Sequence, residues 1–185
     1  MTATELHTTL SQQGQRSGVR LEGMLGCPAE RVWAALTVSA ESALWFPSTL
    51  TVEAVEAVEA VEAGVRGTAT VAGDPNPPDS VGTALEYEAG HRLAFSWGTN
   101  ELHFDLTSTA VGECRLVLTD VLTHENEAAR NAAGWDVCLA RLAVHLSGEE
   151  ADGPHGASAP SWQQAYDRHV AAGLPSGAQI PGGGA

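Results

Sequence analysis

Glu101, His103 and Asp105 stand at alternate positions, and such a trio invites two kinds of chemistry. A histidine between carboxylates can move protons as a general base, or join them in holding a metal ion. Either role needs the three side chains to converge away from bulk water. Alternate residues of a strand share a face, so the trio does point one way. The intervening Leu102, Phe104 and Leu106 claim the opposite face for a core, which sends the trio into solvent. The expectation is a solvated strand face, with no catalytic residue and no metal ligand assigned.

His91 and His124 fall beside predicted element ends, where a cavity mouth can lie or where a histidine simply caps a turn. Cys27, Cys114 and Cys138 are odd in number, far apart and never in a CxxC pair, so neither a disulfide framework nor a zinc site is signalled. They read as packing residues of a protein in a reducing cytoplasm. No GxGxxG, P-loop, HExxH or GxSxG pattern occurs, and no cofactor is implied. Tyr87, Trp97 and Trp135 each join a large apolar body to one hydrogen-bonding group, a combination that fills cores and lines pockets alike.

The elements that must position these residues follow from periodicity. Across 185 residues, 43% are hydrophobic, enough for one core but hardly for two. Nine arginines, with no lysine, face 23 acids, and the net charge of -14 repels phosphate backbones and anionic lipid. Nucleic acid and membrane are therefore excluded as expected partners. The first 20 residues lack a signal-peptide pattern, and no run of about 18 apolar residues exists for a spanning helix.

Residues 1–18 are polar and unpatterned, and they read as a flexible arm before a domain over residues 19–147. Alternation from Val19 to Leu25 predicts a strand, and Pro28 to Leu36 a short amphipathic helix, followed by a second helical turn from Ser39 to Trp45. The triplet repeat TVEAVEAVEAVEA over residues 51–63 fits neither strand nor helix period throughout. An early strand at Val52 to Val55 is expected, with the remaining copies an extended hairpin or an acidic excursion.

Further strands are expected at Val65 to Val71, Val81 to Glu88, His91 to Trp97, Glu101 to Thr107 and Glu113 to Leu122. A proline-rich loop at residues 74–79 and tight turns at Ala89-Gly90 and Gly98-Thr99-Asn100 join them into an antiparallel meander. One face gathers Leu85, Tyr87, Leu93, Phe95, Trp97, Leu102, Phe104, Leu106, Leu116 and Leu118, and almost no ionisable group is expected inside. From about Asn126 to Leu146, Ala128, Ala132, Trp135, Leu139, Leu142 and Leu146 form the apolar stripe of a long helix that needs a sheet to cover. The architecture is therefore α+β in two layers. Residues 148–185 hold eight glycines and four prolines and read as an irregular tail, interrupted by a short helix near residues 161–170 that docks back on the body.

The order of elements resembles the helix-grip fold, a curved antiparallel sheet wrapped around a long C-terminal helix with two short helices after the first strand. Four segments are similar to those of the heat-shock-protein-90 ATPase activator-like family of the SRPBCC, or START-like, superfamily. They are residues 28–37 (PAERVWAALT), 45–47 (WFP), 92–98 (RLAFSWG) and 133–142 (AGWDVCLARL). The resemblance implies a cavity between sheet and long helix that in many relatives accepts an apolar molecule. It carries over no catalytic set, and the chain has no room for the extra N-terminal domain of the eukaryotic co-chaperone.

Three readings result. The leading one is a non-enzymatic module holding a small apolar ligand, with walls from Tyr87, Phe95, Trp97, Phe104, Trp135, Leu139 and Leu142 and a mouth near His91 and His124. The second is cyclase-, aromatase- or hydrolase-like chemistry in the same cavity, resting on Tyr87, His91 or His124. The third is an interaction domain that binds a chaperone or another protein.

Overall fold

The computed structural model describes residues 6–53, 68–72 and 81–180. Its sheet runs in the order β1-β2-β8-β7-β6-β5-β4-β3, antiparallel throughout. The strands are β1 (His7–Gln13), β2 (Arg16–Leu25), β3 (Thr49–Glu53), β4 (Thr68–Ala72), β5 (Val81–Glu88), β6 (Arg92–Trp97), β7 (Asn100–Ala110) and β8 (Glu113–Val121). Helices α1 (Ala29–Thr37) and α2 (Ser39–Ser42) follow β2. A 3₁₀ turn (Glu125–Glu127) leads into the long helix α3 (Ala128–Leu146), and α4 (Trp162–Ala171) packs against α3. This is the helix-grip arrangement, a sheet gripping a long C-terminal helix.

The expected strands β5 to β8 and the helices α1 to α4 appear close to their anticipated bounds. Residues 54–67, most of the triplet repeat, and the proline-rich loop at 74–79 lie outside the described residues. The first 18 residues differ from expectation. Instead of a loose arm, residues 7–13 form β1, paired with β2 from His7↔Glu22 to Gln13↔Arg16. The pairing closes on a two-residue loop whose first residue, Gly14, has φ 62°, a conformation that costs glycine nothing.

The core collects where α1, α2 and α3 meet the inner face. Val19 and Leu21 of β2, Leu116 and Leu118 of β8, Leu102 and Phe104 of β7, and Leu93 and Phe95 of β6 are all buried. From α1 and α3 come Val32, Leu36, Trp135, Leu139 and Leu142, and from the turn after α2 come Trp45 and Phe46. Fully burying each such side chain stabilises the fold by roughly 1.5–3 kcal/mol. Leu85, expected on this face, is 44% exposed. A bulge between Ala84 and Glu86 breaks the pairing with β6, so Ala84 meets Phe95 while Leu85 turns outward.

The outer face carries ion pairs, including the trio first considered. Glu101 pairs with Arg16 at 2.6 Å and with His103 at 3.3 Å, and Asp105 with Arg92 at 2.6 Å. These are half-exposed surface pairs of small energetic weight.

The tail is a strap rather than a loose end. Asp152 accepts from Arg141 at 3.2 Å and from the Ser158 hydroxyl at 2.7 Å, which folds residues 152–158 onto α3. After α4 the chain returns to the start of α3, where Ala129 N donates to Pro175 O at 2.9 Å and Arg130 to Gln179 O at 3.0 Å. No helix among the described residues is long and apolar enough to cross a membrane.

Candidate functional site

The two halves of α3 meet different surroundings. Along the N-terminal half, aromatic rings fill the space beneath the sheet around Phe46. Its ring lies 5.0 Å from Trp97, 5.7 Å from Trp135, 6.2 Å from Phe95 and 5.4 Å from Trp45. Phe95 stacks on Phe104 at 6.1 Å, and Trp45 meets Phe104 edge-on at 6.2 Å. Of the expected cavity walls, Phe95, Phe104 and Trp135 therefore join a packed cluster, with Trp97 half-buried at its edge. Tyr87 is half-buried and edge-on to Trp33 at 5.4 Å.

Beside this cluster lies an ionisable group the sequence reading did not place inside. Asp120 is 1% exposed, at the β8 position that continues the inward phase of Leu116 and Leu118. Its carboxylate accepts from Asn100 at 3.1 Å, Asn131 at 2.9 Å and Trp135 Nε1 at 3.0 Å. Desolvation pushes its pKa up, while the three donors pull it back. Asp120 is thus a buried acid within the core, tied by neutral donors to β7 and α3. Asn100 also accepts from Thr123 N at 2.9 Å, which fixes the turn before α3. The network is a structural tether whose oxygens are already engaged.

Along the C-terminal half of α3 the packing opens into a pocket of about 460 Å³. Its floor is the β1, β2 and β8 side of the sheet, with Leu6, Leu25 and Leu116. One wall is α3, where Val137, Leu139 and Leu142 alternate with the small Ala140 and Ala143. The opposite wall is α4, whose Ala165, Arg168 and His169 fall on one helical stripe continued by Ala172 at its C-cap. Ser161 caps α4 by accepting from Gln164 N at 3.3 Å. Small residues on both helices, Ala140 and Ala143 on α3 and Ala165 on α4, leave the space unfilled.

The pocket's polar group spans the two helices. His169 Nε2 lies 2.8 Å from Asp136 Oδ2, and Arg168 Nη2 donates to the same oxygen at 3.3 Å. Both His169 and the Asp136 side chain are largely buried, whereas Arg168 is mostly exposed. The pair is 33 residues apart in sequence, so spacing gave no sign of it.

The other sequence candidates take simpler places. His91 is exposed in the β5–β6 turn, where its carbonyl accepts from Leu106 N at 2.7 Å. His124 is exposed and caps the 3₁₀ turn, with its N–H donating to Glu127 at 3.2 Å. Neither lines the α3–α4 pocket, whereas Leu139 and Leu142 do. Cys138 is buried beside the stripe, and burial pushes its thiol up to about 12, which holds it inert. Among the described residues, no three His, Cys, Asp or Glu side chains are grouped to hold a metal ion.

A curved sheet around a long helix, with a pocket between the layers, defines a START-like protein of the SRPBCC superfamily. Within it, the chain belongs to the family described as Activator of Hsp90 ATPase homolog 1-like protein, whose sequence profile matches residues 26–147. Members of this fold commonly bind small hydrophobic molecules. No curated protein matches the chain at a significant level.

Solved structures share the fold. A conserved protein of unknown function from Enterococcus faecalis superposes with a TM-score of 0.68 at 21% identity, covering 89% of each chain. CalU16 from Micromonospora echinospora gives 0.66 at 19% identity over 92% of each chain. DynU16, encoded in the dynemicin biosynthetic locus, gives 0.52 at 22% identity over 74% of this chain and 50% of its own.

Proposed function

We propose that this protein is a non-enzymatic binding module that holds a small apolar molecule between the sheet and α3, acting in the cytoplasm. The observation that carries this reading is the pocket of about 460 Å³ with leucine, valine and alanine walls. That volume lies within the roughly 300–1,000 Å³ of small-molecule sites. Leu139 and Leu142 are the expected wall residues that border it. The aromatic set of Tyr87, Phe95, Trp97, Phe104 and Trp135 is then the rigid backing against which α3 is held. The enzyme alternative, built on Tyr87, His91 or His124, draws no support from their positions.

Thermal unfolding of the full chain across a library of apolar compounds tests the reading. A ligand that binds only the folded state raises the midpoint by an amount that grows with its concentration. At a ligand concentration 100 times Kd, the gain is about 2.7 kcal/mol. The expected result is stabilisation by some compounds, abolished in Ala140→Phe, which fills the pocket. A library that moves neither protein contradicts the proposal.

A further inference from the structure

An apolar pocket that needed only to exclude water would have no reason to keep a buried acid–histidine pair in its wall. Here Asp136 and His169 are both largely buried, come from different helices and border the same space. The carboxylate is an acceptor only, so at 2.8 Å it fixes His169 with the proton on Nε2. In the neutral imidazole this leaves Nδ1 as a lone-pair acceptor. Among the described residues Nδ1 has no hydrogen-bond partner, and it is not one of the sealed, unsatisfied atoms of the interior.

Resting on the reading that the pocket binds an apolar molecule, we propose that its ligand carries a neutral hydroxyl group that donates to His169 Nδ1. The ligand class is a hydroxylated hydrocarbon, such as a phenol or a long-chain alcohol. Charge supports a neutral head group. Arg168 already balances Asp136 from 3.3 Å, so neither an anion nor a cation finds an unmatched charge beside the ring. The protein's net charge of -14 further disfavours an anionic ligand. Asp136 is a positioning residue, since it acts through the imidazole, and His169 makes the contact.

A matched pair of probes tests this on the full chain: 4-butylphenol and butylbenzene, which differ by one hydroxyl. A single hydrogen bond of about 1.4 kcal/mol predicts that the phenol binds roughly tenfold tighter. His169→Phe should abolish the discrimination, so that the phenol and butylbenzene bind with equal affinity. If His169→Phe does not fold, the double variant Asp136→Leu/His169→Leu replaces both partners by apolar groups and should give the same loss. In the wild type, the ¹⁵N resonance of His169 Nδ1 should move on adding the phenol but not the hydrocarbon.

Equal affinity for the two probes, or a preference that survives both substitutions, overturns the hydroxyl proposal while leaving apolar binding intact. A stationary Nδ1 resonance in a phenol-saturated protein overturns it as well. If neither probe binds, the binding reading itself fails, and this proposal with it.

Discussion

One helix, α3, serves two ends of this molecule in opposite ways. Its first half presents Trp135 to the Phe46 ring and to the Asp120 carboxylate, within an interlocked aromatic cluster. Its second half presents Ala140 and Ala143 to α4, and the space between them stays open. The difference lies in side-chain size and in polar satisfaction rather than in backbone geometry. Where large rings interlock, the fold acquires stability; where small residues face one another, space is left, and there we place the proposed site. A buried acid engaged by three donors is a tether, whereas the Asp136–His169 pair beside the pocket is the group we propose for recognition.

The sharpest way to break the comparison is to delete volume at each end. Phe104→Ala should cost about 3–5 kcal/mol, because the ring is fully buried among Trp45 and Phe95 and leaves a cavity behind. Leu139→Ala only enlarges an existing space and should fall at the low end of the roughly 2–5 kcal/mol range for such truncations. Chemical denaturation of both variants checks this, and equal losses would erase the distinction.

Adding volume should give the same ranking, with the packed half again the more sensitive. Ala132→Leu pushes methyl groups into the packed half and should cost about 1–3 kcal/mol. Ala140→Leu projects into the pocket and should stay within about 0.5 kcal/mol while weakening ligand binding.

The acid at the packed end should declare itself through pH. Its native pKa is raised, so the folded state binds the proton more tightly than the unfolded state, and the native form is favoured as pH falls. Stability should therefore decline as pH rises from about 4 towards the elevated native value, by at most about 1.4 kcal/mol per pH unit. Asp120→Asn should remove that component from the stability profile, measured against wild type so that the other carboxylates cancel. The opposite limb belongs to Asp152, held down to about 2 chiefly by the Ser158 hydroxyl and N–H. Its contribution is present above about 4 and is lost as pH falls towards 2.

At the rim of the pocket, Ser161→Ala removes the α4 cap and should cost about 1 kcal/mol. The loss should appear as faster amide exchange in α4, the wall that closes the pocket.

How much of this was legible beforehand follows the physics of each element. Strands β6 to β8 and helix α3 could be read because one face of each is buried, so hydrophobic period and structure coincide. Strand β1 could not, since HTTLSQQ is an edge strand with polar residues on both faces and is specified by its partner and the Gly14 turn. Leu85 was assigned to the core because a bulge, which no period announces, shifts the phase of β5. Asp120 sat in phase with Leu116 and Leu118, so the signal was present, but residue type argued for the surface. The Asp136–His169 pair lay beyond reach, as it exists only once the tail helix docks on α3. His91 and His124 marked element ends correctly, and there they serve the backbone.

The central claim is that the open half of α3 is where a ligand sits. Titrating ¹⁵N-labelled full-length protein with butylbenzene and following amide shifts tests it most directly. The account predicts saturable changes clustered at Leu25, Val137, Ala140 and Ala165, around the pocket. Changes confined to Phe95, Trp97 and Phe104, or no change at all, would contradict it.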